Sequence, residues 1–413
     1  MNNSTPKILN KKFIISVITS SAFITGLTLA VIWLYLSNID RLDIFHDAAS
    51  VKSIMGIILG FAIFSILGFS ILLFVSSLML IITFSNYEKD IKKYDGIAHN
   101  FASVGILNSL SSCLLLMISF SIYYFFDWSG YLTSALFLLT STAFSFWLTN
   151  KKIFKSEKYI SQDNSEEESI LKKTPTKIMM PFLLLTPAIV QILPLSFLLK
   201  QLEFTEGSND FVQLALITML SLMFSMLSML PGVIYINEKK NGEMLRSISV
   251  ILISIPTTLV VLSLLVRPIP NMIINMTMNL SGISDWRTHH FYIDNQTHHH
   301  TMFNGVLWNT RYYPDMPSRF FITGVNIFTL GDIQLICPTK ITNARTESLK
   351  LTLDDMNEYD RKIKQLKTVA MECIPFNKND IHTWDSPISA PIYYEKIKTA
   401  NDSSMLKMLH SLK

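Results

Sequence analysis

Cysteine and histidine are the side chains in this 413-residue sequence best equipped for chemistry, and most of them fall near its C-terminal end. Cys337 and Cys373 have 35 residues between them, Cys337 after a β-rich run and Cys373 after a helical pattern. In an oxidising compartment this arrangement predicts a disulfide. It would contribute about 3 to 4 kcal/mol by constraining the unfolded chain. Two buried thiols are the alternative. Cys113 lies in an apolar run and reads as packing.

Seven of the nine histidines lie in the C-terminal part, with His289, His290, His298, His299 and His300 inside twelve residues. Imidazoles at that density can bind zinc or copper, or respond to acidification. Adjacent side chains point in different directions, however, and no His-x-x-x-His or Cys-x-x-Cys spacing accompanies them. The five histidines are therefore weak metal candidates, expected mainly on surface loops. No nucleophile elbow, phosphate-binding glycine loop or paired acidic motif occurs, so neither a catalytic residue nor a cofactor is expected. The aromatic and basic stretch around Trp308, Arg311, Tyr312, Tyr313, Arg319 and Phe320 reads as a surface that contacts a partner.

The elements carrying these residues are mostly apolar. The chain is 49% hydrophobic and 16% charged, well short of the roughly 25% charged residues of soluble domains. Seven runs long enough to cross a bilayer are predicted: Phe13 to Leu36, Ile54 to Phe84, Phe101 to Phe126, Tyr131 to Thr149, Ile178 to Leu199, Phe211 to Ile236 and Ser247 to Val266. None contains Asp, Glu, Lys or Arg. One set of connecting segments, including Lys7, Lys11, Lys12, Lys92, Lys93, Lys151 and Lys240, holds 16 Lys and Arg; the alternate set holds Arg41, Lys52 and Lys200. The positive-inside rule then puts the N-terminus in the cytoplasm and everything after Val266 outside it. The net charge of +4 follows from this topology and gives no support to nucleic-acid binding.

The expected fold class is mostly α: a polytopic helical membrane protein with a small α+β extracytoplasmic C-terminal domain. Residues 1–149 form a first four-helix transmembrane unit and 150–177 a cytoplasmic linker containing the run Ser165 to Ser169. Residues 178–266 form a second, three-helix unit and 267–413 the C-terminal domain. Gly56, Gly60 and Gly68 share a face of the second apolar run and predict close helix packing, with self-association or partner docking as alternatives. Pro181, Pro187 and Pro194 predict a kinked fifth span. Gln191 within it reads as an interhelical hydrogen bond. In the C-terminal part, Phe320 to Phe328 and Ile333 to Ile336 predict a hairpin, and Asp354 to Cys373 an amphipathic helix.

The expected partners are the bilayer and another protein at the periplasmic face. Intramembrane charges, which ion-coupled transporters usually retain, are missing. The expected class is a non-enzymatic bacterial inner-membrane protein that recognises a partner through its periplasmic domain, such as a toxin-immunity or exclusion factor. A channel or transporter, and a membrane sensor or assembly accessory with a separate cytoplasmic partner, are the alternatives.

Overall fold

The computed structural model describes residues 20–51, 54–91, 97–155, 174–239, 244–384 and 398–399. The basic residues Lys7, Lys11, Lys12, Lys92, Lys93 and Lys240, and the run Ser165 to Ser169, lie outside them. The chain is mostly helical, with a C-terminal β-sheet region. The helices are α1 (Ser21–Asn38), α2 (Met55–Leu73), α3 (Val75–Ile91), α4 (Ile97–Phe126), α5 (Gly130–Thr149), α6 (Thr174–Val190), α7 (Ile192–Leu199), α8 (Asp210–Lys239), α9 (Met244–Leu265), α10 (Pro268–Leu280), α11 (Ile341–Ser348) and α12 (Met356–Ala370). Short single turns are left unnumbered.

Five helical segments are long and apolar enough to cross a membrane: Met55–Leu73, Ile97–Phe126, Gly130–Phe154, Pro175–Leu199 and Asp210–Lys239. A sixth arises if Ile251–Leu265 and Pro268–Leu280 form one broken span. The sequence predicts seven. The first predicted span begins among residues outside the described set, and the described part, Ile24–Asn38, is too short to qualify by itself. The second run is interrupted at Phe74, although the N–H of Phe74 still bonds the Ser70 carbonyl and that of Leu78 the Phe74 carbonyl.

The chain separates into two compact units that do not follow chain order. One comprises residues 67–269 and 350–356. In it α3, α4, α6 and α8 bury Leu80, Phe84, Phe101, Met180, Leu184, Met229 and Ile236. Pro181 and Pro187 lie inside α6, and a turn at Gln191 separates α6 from α7, although the N–H of Gln191 still bonds the Pro187 carbonyl and that of Leu195 the Gln191 carbonyl. The two-residue strands β1 (Leu202–Glu203) and β6 (Leu351–Thr352) pair in parallel.

The other unit comprises residues 1–66, 270–349 and 357–413. Its sheet contains β2 (Asp285–Asp294), β3 (Arg311–Tyr312), β4 (Arg319–Leu330), β5 (Ile333–Cys337), β7 (Ile374–Asn377), β8 (Ile381–Thr383) and β9 (Lys398–Thr399). The order is β7-β5-β4-β2-β8, with β3 joining β4 to β9 and every pairing antiparallel. The predicted hairpin is β4–β5. Its two-residue loop puts Gly331 where φ must be positive, at 64°. The predicted amphipathic helix is α12, with Tyr359, Leu366 and Ala370 buried. Strand residues Val325, Ile327, Phe328, Leu330 and Leu335 pack with Leu366 and Ala370 and with Ile32, Tyr35 and Leu36 of α1. One face of α1 is thus covered by protein, a distinction that an apolar run cannot encode because lipid and a protein core select the same side chains.

Among the described residues, no neighbouring element comes within 4 Å of where a Cβ on Gly56, Gly60 or Gly68 would stand. Close approach occurs at Gly105, against Leu80, and at Gly232, against the Ser77 backbone. These glycines stand alone in their runs and carry no spacing signal.

Candidate functional site

Alternation along β2, β4 and β8 sends side chains to opposite faces of the sheet. Phe291, Ile293, Phe320, Ile322 and Ile381 turn inward and pack with Phe303, Trp308 and Phe376. The other face carries His290 and Tyr292, Arg319 and Phe321, and His382, with Trp384 just beyond β8.

On that face the Arg319 guanidinium lies 4.9 Å from the centre of the Tyr292 ring. The same ring is 4.9 Å from His382 and 6.0 Å, edge on, from Trp384. Trp384 in turn lies 6.1 Å from Phe321, and its backbone N–H donates to the His290 carbonyl at 2.7 Å. Trp384 is 48% exposed, and Arg319 and His382 are also exposed. Aromatic rings that are half wet, rigid and accompanied by an arginine are the composition of protein-binding hot spots. The arrangement can stack on a planar or apolar group and donate hydrogen bonds around it.

Of the residues expected to contact a partner, Arg311, Tyr312, Tyr313 and Arg319 remain at least partly accessible, but Trp308 and Phe320 do not, at 3% and 0% exposed. Trp308 sits edge-on to Phe303 at 5.7 Å inside the core. Both are packing residues, because inward alternation places Phe320 and a one-turn helix capped by Asn304 turns Trp308 in. Phe321 ends the stretch expected to make contacts, whereas Tyr292, His382 and Trp384 lie outside it. The alternation of Phe291, Tyr292, Ile293 and Asp294 was the available signal, masked by the polar start of the strand.

The histidines are dispersed over this region. The His289 ring bonds the Asp285 carboxylate at 3.0 Å, and the His290 ring meets the Thr323 hydroxyl at 3.1 Å. The His300 ring stacks on Tyr312 at 4.0 Å with His299 at 4.4 Å, and that of His298 rests 5.1 Å from Phe376. Among the described residues, no group of three or more His, Cys, Asp or Glu is placed to hold a metal ion. Arg287, bonded at 2.8 Å, is the main reason that the Asp285 carboxyl titrates well below its usual range, with His289 adding to it. Burial, helped by the neighbouring His299, pulls the pKa of His300 below its ordinary value.

Cys337 and Cys373 form a disulfide that ties the end of β5 to the residues after α12. Arg41 braces the same place: it is buried, donates to the Cys373 carbonyl at 2.7 Å and pairs with Asp43 at 2.8 Å. Cys113 is a free, buried thiol.

The helical unit contains a separate polar seam. The Ser109 hydroxyl donates to Gln191 Oε1 and meets that of Ser225 at 2.8 Å, while Gln191 Nε2 donates to Ser228 Oγ at 2.9 Å. Asn108 Nδ2 donates to Ser145 Oγ at 3.0 Å and to the Leu184 carbonyl at 3.2 Å. Gln191 thus makes interhelical hydrogen bonds, as its isolated position in an apolar run predicts. No family model, curated protein or solved structure matches this chain.

Proposed function

We propose that this chain is a non-enzymatic, multi-pass protein of the bacterial inner membrane. Its N-terminus lies in the cytoplasm, and its C-terminal sheet faces the periplasm and recognises another protein there. The observation that carries the reading is the accessible cluster of Tyr292, Arg319, Phe321, His382 and Trp384, held by backbone pairing on one face of the sheet. The Lys and Arg asymmetry of the connecting segments supports the orientation. Recognition without chemistry suits a toxin-immunity or exclusion factor. Such a protein occupies its partner through the sheet while its helices hold it in the membrane.

Two experiments test this. Reporters active only outside the cytoplasm are fused after Lys413 and after Ser165, and activity at the first alone is expected. Cells expressing the chain are then challenged with phages and secreted bacterial toxins. Survival should exceed that of vector controls and fall with Trp384→Ala or Arg319→Ala. A silent reporter after Lys413, or protection unchanged by both substitutions, defeats the reading.

One observation favours the transport alternative. Besides its hydrogen-bonded members, the polar seam contains Asn108 Oδ1, Ser112 Oγ and Ser221 Oγ, which are buried without partners among the described residues. Such atoms can be satisfied by water or a small polar solute. Light-scattering assays on proteoliposomes decide it. Water or small-solute permeability above that of protein-free vesicles, reduced by Gln191→Leu, would replace the recognition reading with a channel.

A further inference from the structure

Two spaces inside the helical unit share a wall. The larger, of about 250 Å³, lies between α4 and α5 and is bordered by Leu116, Ser119, Tyr123, Gly130, Ser134 and Phe137 among others. Tyr123 and Ser134 are exposed at its rim. The smaller has room for about one water-sized sphere and belongs to the polar seam, bordered by Ser109, Ser112, Cys113, Gln191 and Ser225. Leu116 and Phe137 border both spaces.

Ser109, Ser112, Leu116, Ser119 and Tyr123 follow one another at steps of three and four along one face of α4. The row of hydroxyls is broken only at Leu116, where Phe137 of α5, 6% exposed, closes the other side. On the inner side of that break the Ser112 hydroxyl is 97% buried, with the residue 3% exposed, and has no partner among the described residues. A buried hydroxyl facing a small space is satisfied by water or by the polar group of a solute. No Asp, Glu, Lys, Arg or His borders either space, so an ion would find no countercharge. The larger cavity also falls below the roughly 300–1,000 Å³ of drug-sized sites, which suits a small molecule.

We propose that the larger cavity is the entry site for a small neutral polar solute, of the size of urea or glycerol, and that Leu116 and Phe137 form an apolar gate between it and the seam. An apolar constriction stays dry and closed until its side chains part. Passage beyond the seam rests on the transport reading above; entry as far as the seam does not.

Cys113 is a free thiol on the inner space, so its modification reports arrival at the seam. The full chain in lipid nanodiscs is treated with methyl methanethiosulfonate, a small uncharged reagent, and in parallel with its anionic sulfonatoethyl counterpart. Wild type should react slowly. Phe137→Ala removes the ring from the shared wall and should raise the rate with the neutral reagent by about tenfold or more. Adding Ser134→Trp, which fills the larger cavity from its rim, should return the rate to that of wild type. Leu195→Ala truncates a side chain that borders the inner space but not the larger cavity, and should leave the rate unchanged. The anionic reagent should gain nothing from any of these changes. The proposal is overturned if Phe137→Ala reacts no faster than wild type, as an acyl chain seated in the cavity would cause. It is equally overturned if Leu195→Ala speeds the reaction as much, if Ser134→Trp does not reverse the gain, or if the anionic reagent keeps pace with the neutral one. The expected labelling pattern without solute permeability in proteoliposomes upholds the entry site and removes the channel reading.

Discussion

The hydroxyl of Ser77 bridges two backbone groups of α8, donating to the Ser228 carbonyl at 2.6 Å and accepting the Gly232 N–H at 3.0 Å. Residues 228 and 232 are one turn apart in α8, on either side of Pro231. Two consequences follow from this geometry. Ser77→Ala removes both of these buried bonds between α3 and α8 and should destabilise the helical unit by about 1–3 kcal/mol. Gly232→Ala would put a Cβ 2.9 Å from the Ser77 carbonyl oxygen, so it too should destabilise, by about 1–3 kcal/mol. Unfolding by denaturing detergent reads both. A pair as stable as wild type would mean that α8 and α3 separate here in the bilayer.

Gln191 connects Ser109 and Ser228 at the break between α6 and α7. Gln191→Leu keeps the bulk of the side chain but takes one partner from each hydroxyl, leaving Ser109 with Ser225 and Ser228 with the Ser225 carbonyl, so a loss of about 0.6–2 kcal/mol is expected. Gln191→Glu should cost more, because the apolar lining from Leu195 and Ala188 offers an ionised carboxyl no cation. The same detergent unfolding assay ranks the two, and a Glu variant as stable as wild type would place water in the seam.

The hairpin, α12 and the disulfide were legible because each rests on local chemistry: a Gly at a turn needing positive φ, a three-and-four apolar spacing, and two cysteines ending adjacent elements. The grouping of α1 with the sheet was not legible. Ile32, Tyr35 and Leu36 would read the same against acyl chains as against Phe328, and only the tertiary fold distinguishes them. Trp308 misled for the opposite reason. An aromatic beside arginines and prolines looks like a contact surface until a short helix turns it inward.

The disulfide predicts a thiol count that also tests the side of the membrane. The chain purified from an oxidising compartment and unfolded without reductant should react with maleimide at one cysteine, Cys113, and at all three after reduction. Loss of the bond through Cys337→Ser should lower stability by about 3 to 4 kcal/mol. Three reactive thiols before reduction would argue for a reducing compartment and against the periplasmic placement of the sheet.

His300 gives the sheet region a pH dependence whose sign is fixed. Burial and the neighbouring His299 disfavour its charged form, so its folded pKa lies below the ordinary 6.5. Between those two values the unfolded chain binds a proton that the folded one does not, and stability falls as pH drops through about 6.5 towards the folded pKa, levelling off below it. His300→Phe keeps a ring to stack on Tyr312 but removes the titration. Its melting temperature should therefore fall less than that of wild type between about pH 7.5 and about pH 5.5. Equal falls would mean that His300 takes up its proton as readily in the folded chain as in the unfolded one.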